Sequence, residues 1–199
     1  MNISQICTVD FSKCDQKVFD SMKTNSCIKA LTIISRNPRI NKLPDGLHIG
    51  GYVDISRCKG IEDLPGGLRV LHGIMMIETR IKEIHSDVVV LGEIDLHGSQ
   101  RFNKIPENFT VYDDLCLSGI PISNLPKGLH VLGNLFVRNC EFLKDLPDDL
   151  RVSGTIYYSE KTGFYRDKRK FNKLIKRLNL RIPPDSDLYS IQLWKKKQE

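Results

Sequence analysis

Leu125 to Pro147 reads LPKGLHVLGNLFVRNCEFLKDLP, opening and closing on Leu-Pro. The same phrase stands earlier as LPDGLHIGGYVDISRCKGIEDLP, from Leu43 to Pro65. Three relatives start between them, at Leu64, Ile84 and Ile105, and a partial copy starts at Leu146. Successive starts lie 20 or 21 residues apart. Self-similarity at a fixed period of this size is the mark of a solenoid.

The register of the repeat says which side chains point inward. Four residues past each start come Leu47, Leu68, Val88, Phe109, Leu129 and Leu150, and two further on come Ile49, Val70, Val90, Val111, Val131 and Val152. An apolar pair two apart follows: Val53 and Ile55, Ile74 and Met76, Ile94 and Leu96, Leu115 and Leu117, Leu135 and Val137, Ile156 and Tyr158. Alternation of this kind is the period of a strand with one face buried. Ile61, Ile81, Phe102, Ile122 or Leu143 closes each unit. One unit cannot bury five or six apolar residues alone, whereas stacked units bury them against each other.

Leu132-x-x-Leu135-x-Val137-x-x-Cys140-x-x-Leu143 resembles a leucine-rich repeat with Cys in place of the usual Asn. The short period and trailing Leu-Pro are similar to the repeats of secreted bacterial effectors, and the Gly-Leu-x-Val-x-Gly-x-Leu variant to repeats of bacterial and phage proteins. The likeness covers about 43–159, with a degenerate copy at Ala30 to Lys42. It implies a mostly β repeat solenoid with a parallel sheet of about seven rungs. Effectors of this kind that ligate ubiquitin do so with a separate large domain, for which 199 residues leave no room.

The expected organisation is an N-terminal helical cap over 1–29, a solenoid over 30–159 and a basic cap helix and tail over 160–199. Ser12-Lys13-Cys14-Asp15 reads as a capping-box variant opening a helix over 13–24, with Val18, Phe19 and Met22 at helical spacing and Phe11 stapling its start. Caps cover the core and strand edge that an open solenoid end exposes. The Ile84 unit lacks both Leu-Pro and the Gly-Leu corner, and the Ile105 unit has Asp113-Asp114 in the glycine region. These degenerate units are read either as drift or as an altered recognition surface. At this period a return arm is too short for a full helix.

Charge is unevenly placed. From Glu160 onward stand 12 Lys or Arg and 5 Asp or Glu, a net +7, while residues 1–159 carry 18 and 19, a net −1. Asp167 to Leu180, DKRKFNKLIKRLNL, predicts a helix with Phe171, Leu174, Ile175 and Leu178 on one stripe. Its other face carries Lys168, Arg169, Lys170, Lys173, Lys176 and Arg177. Pro183-Pro184 ends it. The tail SDLYSIQLWKKKQE reads equally as a short helix or a strand, with Leu188, Ile191 and Trp194 docking on the last repeat.

No run of about 18 apolar residues predicts a membrane span, and the first residues show no ordinary secretory signal. The six cysteines contain no Cys-x-x-Cys pair, so zinc spacing is absent and reduced thiols in a cytoplasmic setting are expected, a host cell's cytoplasm being the variant that the effector likeness implies. Cys58 and Cys140 share a repeat slot with Thr79 and Ser99, a slot that wants a small group able to satisfy turn backbone.

Between the buried strand positions, outward residues form the face that the resemblance makes concave. These are Tyr52, Asp54, Met75, Glu93, Asp95, His97, Asp114, Cys116, Asn134, Phe136, Arg138 and Tyr157. Aromatic anchors at the ends and an acidic centre of Glu93, Asp95 and Asp114 suit a protein partner. Phe136 and Arg138, beside Tyr157, are expected to give affinity and little stability. Glu93, Asp95, His97 and Asp114 offer an acid–base or metal group only if their geometry converges. No phosphate loop, nucleophile elbow or dinucleotide fingerprint occurs. The expectation is a non-catalytic protein-interaction module without cofactor or metal, an inhibitor or adaptor of the effector or phage kind. The alternative is a nucleic-acid-associated protein binding through its basic C-terminal helix.

Overall fold

The computed structural model describes residues 8–22, 26–28 and 31–181. The expectations for the 182–199 tail, its Pro183-Pro184 stop and Cys7 lie outside these residues. In chain order the strands are β1 (Thr8–Asp10), β2 (Cys27–Ile28), β3 (Leu31–Ile33), β4 (His48–Ile49), β5 (Val53–Asp54), β6 (Arg69–Val70), β7 (Ile74–Met75) and β8 (Val89–Val90). They continue as β9 (Ile94–Asp95), β10 (Thr110–Val111), β11 (Leu115–Cys116), β12 (His130–Val131), β13 (Leu135–Phe136), β14 (Arg151–Val152), β15 (Ile156–Tyr157) and β16 (Leu180–Arg181). Each repeat thus contributes two short strands, one to each of two sheet faces.

The odd-numbered strands from β1 to β15, followed by β16, make a nine-stranded parallel sheet. The even-numbered strands make a second face in two pieces, β2-β4-β6-β8 and β10-β12-β14. Pairing is strictly repeat on repeat, as Ile74↔Ile94, Ile94↔Leu115 and Leu115↔Leu135 show. The architecture is therefore a parallel β-solenoid of about six turns at roughly 21-residue spacing.

The inward register holds along the chain. Leu47, Ile49, Val53, Ile55 and Ile61 are buried, and so are their counterparts in the following repeats down to Ile156 and Tyr158. The one lapse is Val152, half-buried in the last full rung, where no further repeat covers it. Seven strands of the main sheet fall between residues 31 and 157, and β1 and β16 add one at each edge.

The N-terminal helix is shorter than the sequence predicts. Helix α1 spans Gln16–Asp20, and the Asp15 side chain makes no capping bond. Its place is fixed instead by Phe19, which is buried with its ring 5.1 Å from that of Phe11. Before it, β1 pairs in parallel with β3, so a strand joins the sheet within the stretch read as cap. At the other end Asp167 does cap helix α2 (Lys168–Arg177), accepting from the Arg169 and Lys170 amides. Leu174 is buried, while Ile175, on the same expected stripe, is 47 % exposed. A 3₁₀ turn, Gly163–Arg166, precedes α2 and brings Phe164 and Tyr165 against Tyr158.

The corner after each main-sheet strand from β3 to β13 places one residue in left-handed backbone: Arg36, Arg57, Glu78, Gly98, Gly119 and Asn139 in successive rungs. The opposite corner does the same with Gly46, Gly67, Asn108 and Gly128. Asn108 belongs to a degenerate unit, and Asn is among the few non-glycine residues that tolerate this conformation.

The shared Cys/Thr/Ser slot behaves as its chemistry demands. The Cys58 thiol donates to the Ile34 carbonyl at 3.0 Å, Thr79 and Ser99 hydroxyls to the Met76 carbonyl, and the Cys140 thiol to the Leu117 carbonyl at 2.9 Å. Thr162 continues the row by donating to the Val137 carbonyl. Burial pushes the Cys140 thiol up to about 12 and raises that of Cys58. Since the thiolate is the reactive form, these thiols are inert in the folded chain. Iodoacetamide at pH 8 is expected to label exposed Cys27 in the native protein, and Cys58 and Cys140 only after unfolding. Peptide mapping that found Cys140 labelled as fast as Cys27 would contradict this packing.

Candidate functional site

The outward face of the nine-stranded sheet consists of three rows. The first, just before the strands, runs Tyr52, Gly73, Glu93, Asp114, Asn134, Thr155 and Asn179. The second, within the strands, runs Asp54, Met75, Asp95, Cys116, Phe136 and Tyr157. The third, just after them, runs Ser56, Ile77, His97, Ser118, Arg138 and Ser159. The twelve outward residues read from the sequence all lie on these rows, so the structure brings them onto one face.

Part of the first row is a polar ladder. Asn134 donates its amide and its Nδ2 to Asp114 Oδ1, at 2.7 and 3.1 Å. Thr155 donates its amide to Asn134 Oδ1 at 2.9 Å, and Asn179 Nδ2 donates to the Thr155 hydroxyl at 2.9 Å. The ladder ties together four outward polar side chains, one beside each of four strands. It was not read from the sequence, although Asp114, Asn134 and Thr155 sit at one repeat position. In the second row the His97 amide donates to Asp95 Oδ1 at 2.9 Å, and the Ser56 amide to Asp54 Oδ1 at 2.8 Å.

Burial corrects the picture of an open binding surface. Tyr52 is exposed, and Asp54, Met75, His97 and Tyr157 are half-buried. Glu93, Asp95, Asp114, Phe136 and Arg138 are buried. The Phe136 and Tyr157 rings stack at 4.9 Å and 13°. A buried aromatic carries packing as well as contact, so truncating Phe136 removes stability along with any affinity. With both side chains buried, the packing speaks against the expectation that Phe136 and Arg138 contribute little to stability.

The electrostatics follow from the same burial. His97 is depressed below the usual histidine range, chiefly by desolvation, against the opposing pull of the Glu78 carboxylate. Cys116, facing outward between Asp95 and Phe136, is pushed well up by burial and then by the Asp95 charge. Both effects hold it as a thiol, the reverse of what a nucleophile requires. Among the described residues no three His, Cys, Asp or Glu side chains are grouped to hold a metal ion. Among them, too, no helix is long and apolar enough to cross a membrane.

The basic helix is partly neutralised by the solenoid. Lys170 pairs with Asp145 at 3.3 Å, and Lys173 and Arg177 share Asp148 at 3.8 and 2.9 Å. Arg177 also donates to the Leu146 carbonyl. Lys168, Arg169 and Lys176 remain on its solvent side, exposed. The carboxylates come from the corner of the last Leu-Pro unit, a juxtaposition that sequence separation concealed.

Compared with protein-family models, curated proteins and solved structures, the chain matches none. Fold and site together define a parallel β-solenoid with a charged and aromatic outward sheet face. Of the motif that carries the leucine-rich resemblance, Leu135, Val137, Cys140 and Leu143 are buried, while Leu132 is 42 % exposed.

Proposed function

We propose that the chain is a non-catalytic protein-interaction module, an inhibitor or adaptor of the kind its leucine-rich resemblance suggests, whose partner meets the outward face of the nine-stranded sheet. The observation that carries this reading is the stacked Phe136–Tyr157 pair set next to Arg138 on a rigid hydrogen-bonded sheet. Rigid aromatic and arginine anchors are the residue types in which interface energy concentrates. Tyr52, Asp54, Met75, His97 and Tyr157 supply the accessible contacts. The buried Glu93, Asp95 and Asp114 act through their field, setting orientation and association rate more than affinity. A Cys116 held as a thiol is a poor nucleophile, which supports a binding reading of this face.

Capture of a partner from native cytosol, identified by mass spectrometry, allows the decisive titration. Tyr157→Ala and Asp54→Lys are expected to weaken that partner at least about tenfold by calorimetry. Tyr157→Ala also removes the stack on Phe136, so its melting temperature should fall by a few degrees, and affinity is read well below that transition. Wild-type affinity in both, with loss after neutralising Lys168, Arg169 and Lys176, would move the site to α2 and sink the sheet-face reading.

A further inference from the structure

The nine-stranded sheet is enclosed on both sides in its middle. In β9, β11 and β13 the outward residue is as buried as the inward one: Asp95 beside Ile94, Cys116 beside Leu115 and Phe136 beside Leu135. In β5, β7 and β15 the outward residue is only half-buried. Along the same middle rungs Glu93 is 2 % exposed, Asp114 3 % and Arg138 7 %. Neighbours within a sheet enclose a small cysteine readily. They do not by themselves take a glutamate, an arginine and a phenylalanine out of water on the face turned away from the core. Parallel sheets are in general covered on both faces. The described helices pack elsewhere, α1 on Asn41 and Lys42 through Gln16, and α2 on Asp145 and Asp148.

Charge and chain length say what fits there. The face holds the carboxylates Asp54, Glu93, Asp95 and Asp114, with Asp113 at its margin. Its cations are Arg138 and, in register with Tyr157, Arg181. At the adjoining corner Arg57 and Glu78 pair with each other at 2.9 Å. The face is therefore acidic toward β9 and cationic toward β16. Strand β16 ends the sheet at Arg181, and 18 residues follow it. They carry Asp185 and Asp187 first, then Leu188, Ile191, Leu193 and Trp194, then Lys195, Lys196 and Lys197, with Glu199 last. That order complements the face, with carboxylates at its arginine end and lysines toward its acidic middle. Pro183-Pro184 bars a further rung of the sheet. Lys195 stands 14 residues beyond Arg181. Such a length reaches roughly 21 Å as a helix and roughly 46 Å extended. Strand β9 lies four strand spacings from β16, about 19 Å, so either conformation suffices.

We propose that segment 182–199 folds back over the outward sheet face as its own occupant. The apolar run from Leu188 to Trp194 covers the middle strands, and Lys195, Lys196 and Lys197 meet Glu93, Asp95 and Asp114. Charges this deep are tolerated when paired, and the lysine run has the sign to pair with them. The degenerate Ile84 and Ile105 units furnish these carboxylates, which makes them recognition surface. A partner of this face then has to displace the segment, a consequence that rests on the function proposed above, whereas the docking itself does not.

Trp194 is the single tryptophan of the chain and reports on the segment directly. In the full chain its emission is expected to be blue-shifted, and its quenching by acrylamide several-fold weaker, than in the urea-unfolded chain. Like charges set against each other disfavour docking strongly. Lys195→Glu, Lys196→Glu and Lys197→Glu together should therefore raise the quenching to the unfolded level. With p-benzoylphenylalanine in place of Trp194, irradiation of the full chain is expected to cross-link residue 194 to peptides from 93–96, 114–118 or 134–138 of the same molecule. Cross-links confined to 140–181, or running between isotopically light and heavy chains, would overturn the proposal. So would equal quenching of Trp194 in native and unfolded protein, or a triple variant quenched no more than its parent. Neither readout involves a partner, so their failure is distinct from failure of the calorimetric titration.

Discussion

Gly92→Ala is expected to destabilise the protein by about 3 kcal/mol or more, beyond the ordinary range for a small overpacking change. A Cβ at this position would stand 1.7 Å from the His72 carbonyl oxygen and 2.4 Å from its carbon. Both obstacles are backbone, so no rotamer change relieves them, and the rungs carrying β7 and β9 must separate. The same slot is glycine in later rungs, where a Cβ at Gly133 or Gly154 would also meet backbone at 2.6 and 2.7 Å. Here the two sheet faces turn into each other at close quarters. Gly66→Ala is the control. Its Cβ would meet only the Asp87 carboxylate at 3.5 Å, an ordinary contact, and its backbone is not left-handed. It should be neutral or slightly stabilising, since Ala restricts the unfolded chain more than Gly does. Urea unfolding followed by circular dichroism gives both numbers. A Gly92→Ala protein within about 0.5 kcal/mol of the parent would mean that the corner is looser than its geometry implies.

The inward half of this fold was legible because burial imposes periodicity. Leu47, Ile49, Val53, Ile55 and Ile61 recur at fixed offsets, and a stack of identical rungs can satisfy that pattern in one register only. The corner slot was legible for the same reason, since Cys58, Thr79, Ser99 and Cys140 all do one job for turn backbone. Strand β1 was hidden because Thr8-Val9-Asp10 has neither a Leu-Pro phrase nor a glycine corner to announce it. The candidate site was half legible. Alternation says that Glu93, Asp95, Phe136 and Arg138 face away from the core, but not how deeply each is enclosed there. The pairing of Lys170, Lys173 and Arg177 with Asp145 and Asp148 depends on how α2 lies across the last repeats, which no local pattern states. Leu132 is where the motif and the register part: it fills a leucine position of a familiar motif, and the register's reading of Val131 as inward is the one the structure has.

That difference supplies the other large expected effect. Leu135→Asp should unfold most of the chain, whereas Leu132→Asp, three residues earlier, should be nearly silent. Leu135 is fully enclosed, paired in register with Leu115 on one side and Ile156 on the other. A carboxylate there has no donor among its apolar neighbours, and an unpaired buried charge is among the few single changes that cost more than about 4 kcal/mol. Small domains hold only about 5–15 kcal/mol in total, so such a loss leaves little folded protein. Neighbouring rungs depend on one another for their burial, which spreads the damage along the stack. Leu132→Asp places its charge on a half-open side chain and should shift stability by less than about 0.5 kcal/mol. Asn134→Asp is not a suitable control, because the new carboxylate would face Asp114 Oδ1, which now receives two bonds from Asn134. If Leu132→Asp proved as damaging as Leu135→Asp, both leucines would point inward, and the strand register built on Val131 and Leu135 would have to be abandoned.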